Sequence, residues 1–186
     1  MKRKLLRFFI LFVVAFLCAA VTSCSSKKKV NRSFYDSQLE VLNKRPSGND
    51  KNDNAHKDIS KLRKKIVQEA YGWLGTPYAY GREEKGVACD CSGMVMRIYE
   101  KIAGIKLPRN SAKQSEFCRS LKKKDVLPGD LCFFATGKDP NRISHVGIMV
   151  DDNNFIHAST SKGVVVSDIN QSYYVRTFMG FGRVPD

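Results

Sequence analysis

Acidic residues are scarce in this 186-residue chain: 18 Asp and Glu face 32 Lys and Arg, for a formal net charge of +14. Histidine occurs three times and cysteine six times, with no Cys-x-x-Cys pair. So few cysteines exclude a disulfide-built scaffold, and the missing pair excludes a thioredoxin-like redox site. No apolar run reaches the roughly 20 residues that a membrane-spanning helix needs. Helix-turn-helix, zinc-finger and RNA-binding signatures are absent, so nucleic acid is not an expected partner. No internal repeat is visible. The positive charge suits polyanions in general, or simply a solvated surface.

Four of the excess positives (Lys2, Arg3, Lys4 and Arg7) precede Cys24, where no acid occurs, and they leave +10 on the remainder. Behind them residues 8–21, FFILFVVAFLCAAV, are almost wholly apolar, and Val21-Thr22-Ser23-Cys24 follows. A basic start, a short apolar run and small residues before a cleavage point describe a signal peptide over residues 1–23. Small residues directly before a cysteine resemble a lipobox. That resemblance implies a diacylglyceryl group on Cys24 and a mature chain that begins there, held to a bacterial membrane by its lipid. Ser25 stands where an inner-membrane retention Asp would sit, so the outer membrane, facing the periplasm, is the expected address.

Residues 24–57 are polar and rich in Lys, Asn, Asp and Ser, and read as a flexible tether. A compact domain is expected over 58–186. Leu62, Ile66, Ala70 and Trp73 recur at helical spacing, with Ser60 as cap and Gly75 as stop. A second helix is predicted from Cys91 to Ala103, stopped by Gly104, and a third over 111–119. Beyond Pro128-Gly129 the pattern changes to strands at 130–134, 145–150, 154–159, 163–167 and 177–184. Helices first and an antiparallel sheet afterwards give an α+β domain.

A cysteine nucleophile needs a lowered pKa, a base, and a group that orients the base. Cys91 opens the second helix, where free N–H groups and the positive end of the dipole favour a thiolate. His145 and His157 fall in adjacent strands. With the aliphatic set Val146, Ile148 and Val150 turned to the core, both histidines point to the other face. A three-residue turn centred on Asp152 pairs His145 with Ser159 and Gly147 with His157, which sets the histidines diagonally on the ladder within side-chain reach. Cys91, His145 and His157 then have the logic of a triad. Two other readings compete: unrelated polar positions on a solvated face, and a zinc site from Cys89, Cys91 and the histidines. Cys-Asp-Cys is not a usual zinc spacing, so no metal is expected.

Several ordered segments resemble the NlpC-type family of bacterial cell-wall cysteine peptidases. They are Gly75-Thr76-Pro77-Tyr78-Ala79-Tyr80-Gly81, Asp90-Cys91-Ser92-Gly93, Leu107-Pro108-Arg109 with Gln114, Leu127-Pro128-Gly129-Asp130-Leu131, His145-Val146-Gly147-Ile148 and Phe155-Ile156-His157-Ala158-Ser159. With the leader they look most like the murein endopeptidase lipoproteins of that family. The resemblance implies a trimmed papain-like fold and hydrolysis of peptidoglycan stem peptides or cross-links next to diaminopimelate, by a monomer without cofactor. It implies Cys91 as nucleophile, His145 as base and His157 as orienting group. It also places Tyr78, Asp90 and Ser92 at oxyanion and substrate positions, with the Asp90 carboxylate meeting a cationic substrate amine. Arg82 stands where the family commonly has a second glycine, and the loop from Tyr78 to Cys91 is about one residue longer, which bears on substrate choice. An amidase or acyltransferase on a non-wall substrate would use the same residues; a wall-binding module with a dead site would not need all three.

Overall fold

The structure, a computed structural model, describes residues 53–185. Cys24, the expected signal peptide and most of the expected tether lie outside the described residues. The first helix, α1 (Asp53–Tyr71), begins within the segment read as tether, so Ser60 is an interior helical residue and not its cap. Of its expected apolar stripe, Ile66, Ala70 and, just beyond the helix, Trp73 are buried and Leu62 is partly buried; Val67 is buried with them. Gly75 ends the following turn with a positive φ that favours glycine.

Two short strands, β1 (Glu83–Glu84) and β2 (Ala88–Cys89), form a separate hairpin that the sequence pattern did not predict. They lead into α2 (Cys91–Ala103), whose bounds match the expectation. Asp90 caps its start by accepting from the Gly93 N–H, and Gly104 ends it in the left-handed conformation. The third helix, α3, spans only Ser111–Phe117, because the chain turns extended at Cys118 and pairs as β3 (Arg119–Leu121). There the Cys118 side chain fills the space against Gly182, where an added Cβ would come within 2.7 Å of it.

The remaining strands are β4 (Leu131–Phe134), β5 (His145–Met149), β6 (Asn154–Ser159), β7 (Gly163–Asp168) and β8 (Phe178–Arg183). A short helix, α4 (Ser172–Thr177), falls between β7 and β8 and was not predicted. The main sheet is antiparallel, in the order β3-β8-β4-β5-β6-β7. Ile148 pairs with Ile156 and Met149 with Phe155, the register expected from a turn centred on Asp152.

Both faces of this sheet are covered. On one, Val146, Ile148, Ile156 and Ala158 pack with the buried side chains of α1 and α2. On the other, Cys132, Phe134, Met149 and Phe155 make a second cluster against Tyr174 of α4. The strands β4 and β5 are therefore buried along their whole length, which explains their nearly continuous apolar sequence. An ion cluster ties the layers: buried Asp130 accepts from Arg63 of α1 at 2.9 Å, from Arg183 of β8 at 2.7 and 2.9 Å, and from the Leu127 N–H. Tyr99 of α2 donates to the Gly129 carbonyl beside it.

Candidate functional site

Cys91 stands at the first position of α2, with its thiol buried beside the start of β5. The backbone N–H groups of Val146, Ser92 and Cys91 itself lie near the sulfur and favour its thiolate. The Val146 contact is decisive for geometry, because Val146 follows His145 directly. Gly93 lets the Arg82 loop pack on the start of α2: a Cβ there would come within 2.6 Å of the Arg82 carbonyl and 3.0 Å of an Asp90 oxygen.

The loop holding Tyr78 is stitched to the same place. Cys89 donates its N–H to the Pro77 carbonyl at 2.9 Å, and the Ala79 N–H donates to the Cys89 carbonyl at 3.1 Å. At its other end the Gly75 N–H donates to the Val164 carbonyl of β7 and the Thr76 carbonyl accepts from the Val164 N–H, both at 2.9 Å, and Gly163 is needed there because a Cβ would meet the Thr76 carbonyl at 2.4 Å. Tyr78 is thus held near the thiol. Its hydroxyl pKa is raised by partial burial, then by the nearby Cys91 and Asp90 charges.

Asp90 is 4% exposed and its carboxylate is already occupied. It accepts from the N–H groups of Gly81 (2.8 Å) and Gly93 (2.7 Å), and Arg109 grips it with two guanidinium bonds of 2.8 and 2.7 Å. Ser92 donates its hydroxyl to the same carboxylate at 3.2 Å and accepts from Arg109 at 3.1 Å. Burial on its own would raise the Asp90 pKa, but Arg109, Gly93 and Gly81 outweigh it and hold the carboxyl below its ordinary range. A substrate amine would have to share this acid with Arg109. Gln114, fully buried, donates to the Ser92 and Pro108 carbonyls and so fixes the Leu107-Pro108-Arg109 segment against α2.

His145 and His157 meet as the register predicts: His145 Nε2 lies 2.8 Å from His157 Nδ1, with the rings edge to face. Neither stands on a solvated face; both are buried. Phe155 stacks on the His157 ring at 4.8 Å. It can do so because residue 147 is glycine: a Cβ there would come within 2.5 Å of the Phe155 ring. Beyond His157, its Nε2 contacts Ser167 Oγ at 2.9 Å and Tyr174 Oη at 3.1 Å.

Burial governs the charges of this group. It pushes the Cys91 thiol up to about 11, and the three N–H groups only partly offset it. This corrects the expectation of a lowered thiol pKa: the helix start is present, but the sulfur is enclosed. Burial also lowers His145 to about 4 and, together with the neighbouring His145, lowers His157 to about 3. Burial thus favours the neutral forms of the thiol and of both imidazoles. Cys118 and Cys132 are free thiols away from this chemistry and Cys89 is a free thiol beside it; burial raises the pKa of each, and at Cys89 the Asp90 and Cys91 charges add to the rise.

The structure brings together Cys91, Tyr78, Asp90 and Ser92 at one end of α2 and sets the His145–His157 pair at the strand beside it. Three neighbours were not singled out in the sequence as site residues. Arg109 lies in a segment noted for its likeness but given no role. Ser167 had a readable signal: His157 pairs with Val165, so Ser167 is its diagonal neighbour on the same face. Tyr174 had none, because α4 itself was not foreseen.

A helix that begins on a cysteine, packed on an antiparallel sheet whose strand begins on a histidine, is the α+β arrangement of papain-like proteins. Comparison with known proteins narrows this. Residues 75–183 match the model of the NlpC/P60 family, and the chain belongs to that family. It is 39% identical over 120 residues to a probable endopeptidase of Haemophilus influenzae, covering 64% of this chain and 73% of that one. Over 187 residues it is 29% identical to the murein DD-endopeptidase MepS/murein LD-carboxypeptidase of Escherichia coli, covering 98% and 96%. Among solved structures, an NlpC/P60 family protein from Bacillus cereus superposes with a TM-score of 0.61 at 29% identity, covering 66% of this chain and 40% of that one. The chain therefore spans less than half the length of that structure.

Proposed function

We propose that this protein is a cysteine endopeptidase that hydrolyses peptide bonds of peptidoglycan next to diaminopimelate, with Cys91 as nucleophile, His145 as base and His157 as its orienting partner. The observation that carries the reading is the nearness of the Cys91 thiol to the Val146 N–H, and so to the adjoining His145, whose Nε2 is already bound to a second histidine. The ring nitrogen left to His145 for the thiol proton is Nδ1. As Cys91 Sγ bonds to the substrate carbonyl carbon, its proton passes to His145 Nδ1 and the carbonyl π electrons move onto oxygen. The Cys91 N–H and the Tyr78 hydroxyl stabilise that oxyanion. Collapse of the intermediate breaks the C–N bond, and His145 returns the proton to the leaving amine. Water then cleaves the thioester with His145 again as base, releasing the acid and restoring the thiol. In this reading Ser92 and Asp90 shape the substrate side of the thiol.

The family assignment and the peptidoglycan relatives support the substrate class. The leader supports a site of action in the cell envelope, with a lipid on Cys24 anchoring the domain to the outer membrane on its periplasmic side. Purified sacculi incubated with wild type and with Cys91→Ser, followed by mass spectrometry of released muropeptides, test the activity. Loss of release in a folded Cys91→Ser variant is expected, and retention of most of it would remove the mechanism. Membrane fractionation of Cys24→Ser tests the anchor: the variant is expected in the soluble fraction, and salt-resistant membrane binding would overturn the lipid reading.

A further inference from the structure

The His145–His157 hydrogen bond can carry its proton on either side, and only one choice leaves a working base. If His157 Nδ1 holds the proton, His145 Nε2 must accept it, and neutral His145 then carries its own proton on Nδ1. That tautomer has nothing to offer the Cys91 thiol. In the productive one, His145 Nε2–H donates to His157 Nδ1, and His157 must carry its proton on Nε2. Because His157 is 2% exposed, a proton there needs an acceptor from the protein.

Two hydroxyl oxygens converge on that nitrogen: Ser167 Oγ at 2.9 Å from β7 and Tyr174 Oη at 3.1 Å from α4. Tyr174 also donates to Ser167 Oγ at 3.4 Å. With its hydrogen directed at the serine, the tyrosine turns a lone pair to the ring, and the serine accepts from both neighbours. The tyrosine is placed for this by packing, since its ring stands edge-on to Phe155 at 4.9 Å and close to Phe134 at 5.3 Å. We propose that Ser167 and Tyr174 are positioning residues for the His145 base: their oxygens jointly accept the Nε2–H of His157 and so fix the tautomer that leaves His145 Nδ1 open to the thiol proton. The proposal deepens the cysteine-endopeptidase reading and rests on it for its effect on rate, but the tautomer itself does not depend on any substrate.

The test has two arms. Nitrogen-15 NMR of the histidine rings in the full chain reads the tautomer directly. A proton on His157 Nε2 is expected in wild type, with loss of that preference in Ser167→Ala/Tyr174→Phe. A proton on His157 Nδ1 in wild type would overturn the proposal, whatever the activity. Kinetics on muropeptides give the second arm. In the double variant kcat should fall about tenfold or more, by analogy with other wrong-tautomer bases, with KM changed less than twofold and near-ultraviolet circular dichroism unchanged. Restoring one hydroxyl, as Tyr174→Phe alone or as Ser167→Thr/Tyr174→Phe, should recover most of kcat. A folded double variant with kcat within twofold of wild type would also overturn the proposal. Should the double variant fail to fold, the wild-type NMR measurement and the single variants still decide. If instead the tautomer is as stated while Cys91→Ser retains hydrolysis, the endopeptidase mechanism fails and the relay stands.

Discussion

Asp90→Asn separates two uses of the acid before the thiol: lock or substrate contact. Asparagine keeps one oxygen to accept the Gly93 N–H, so the α2 cap survives in part. It loses the charge, and its amide group is set against the Arg109 guanidinium where two short bonds now run. Removing one partner of a buried pair costs about 3–5 kcal/mol. Arg109 is 40% exposed and can rehydrate, so the cost is discounted to about 2–3 kcal/mol. For a domain of this size that corresponds to a fall in melting temperature of roughly 10 °C. The carboxyl is held below its ordinary pKa, so its contribution is complete above the unfolded value of 3.8 and is lost as pH falls through the folded value. The gap between wild type and variant should therefore be constant from neutral pH down to about 5 and shrink at more acid pH. Calorimetry at several pH values measures it, and a cycle with Arg109→Gln should show the two losses to be non-additive. Iodoacetamide labelling of Cys91 should be no slower in the folded variant, because Asp90 raises the thiol pKa. A variant that melts within about 2 °C of wild type yet loses most of its kcat/KM on stem peptides would refute the lock and restore the carboxylate to the substrate.

His157→Gln should keep measurable turnover while His145→Gln does not, since an amide oxygen can accept the His145 Nε2–H but no glutamine can take the thiol proton; equal loss in steady-state assays would contradict this division. Acid should unfold the domain through its histidines. Both are buried neutral with pKa lowered from 6.5, to about 4 for His145 and about 3 for His157, so the stability they depend on is complete above about 6.5 and declines as pH falls toward those values. Chemical denaturation between pH 7 and 4 should show this slope, and a His145→Gln/His157→Gln variant should show a flatter one.

The sequence was most informative where one periodicity governs one element. The α2 helix was legible from Cys91 to Gly104 because its cap, its buried stripe and its terminal glycine all agree. The β5–β6 register was legible because alternation and turn length leave a single pairing. That register alone brought the histidines together. The hairpin β1–β2 and the helix α4 were not legible, for a common reason: each is too short for a period to show, and each is set by partners distant in sequence. Glu83 is held by Arg97 of α2, and α4 is placed by Tyr174 packing under the sheet. Likewise Asp90 could be read as a cap but not as the partner of Arg109, because nothing local links residue 90 to residue 109.

The thiol is where local and global readings part most clearly. A helix start argues for a thiolate, and the sequence supplies that helix start. The fold then encloses the sulfur between α2 and β5, and burial wins by holding the thiol at about 11 and the base at about 4. With those values the separated charges of a thiolate–imidazolium pair are unfavourable in so enclosed a site. The Val146, Ser92 and Cys91 N–H groups nevertheless favour charge on the sulfur, and in the tautomer proposed above the His145–His157 bond favours a positive charge on the first ring. The site is therefore built to stabilise charge that develops during attack more than charge present beforehand. Proton transfer to His145 then accompanies bond formation to carbon. On this account kcat/KM has its acid limb near pH 4 to 5, where His145 begins to protonate, and lacks one near the ordinary histidine value of 6.5.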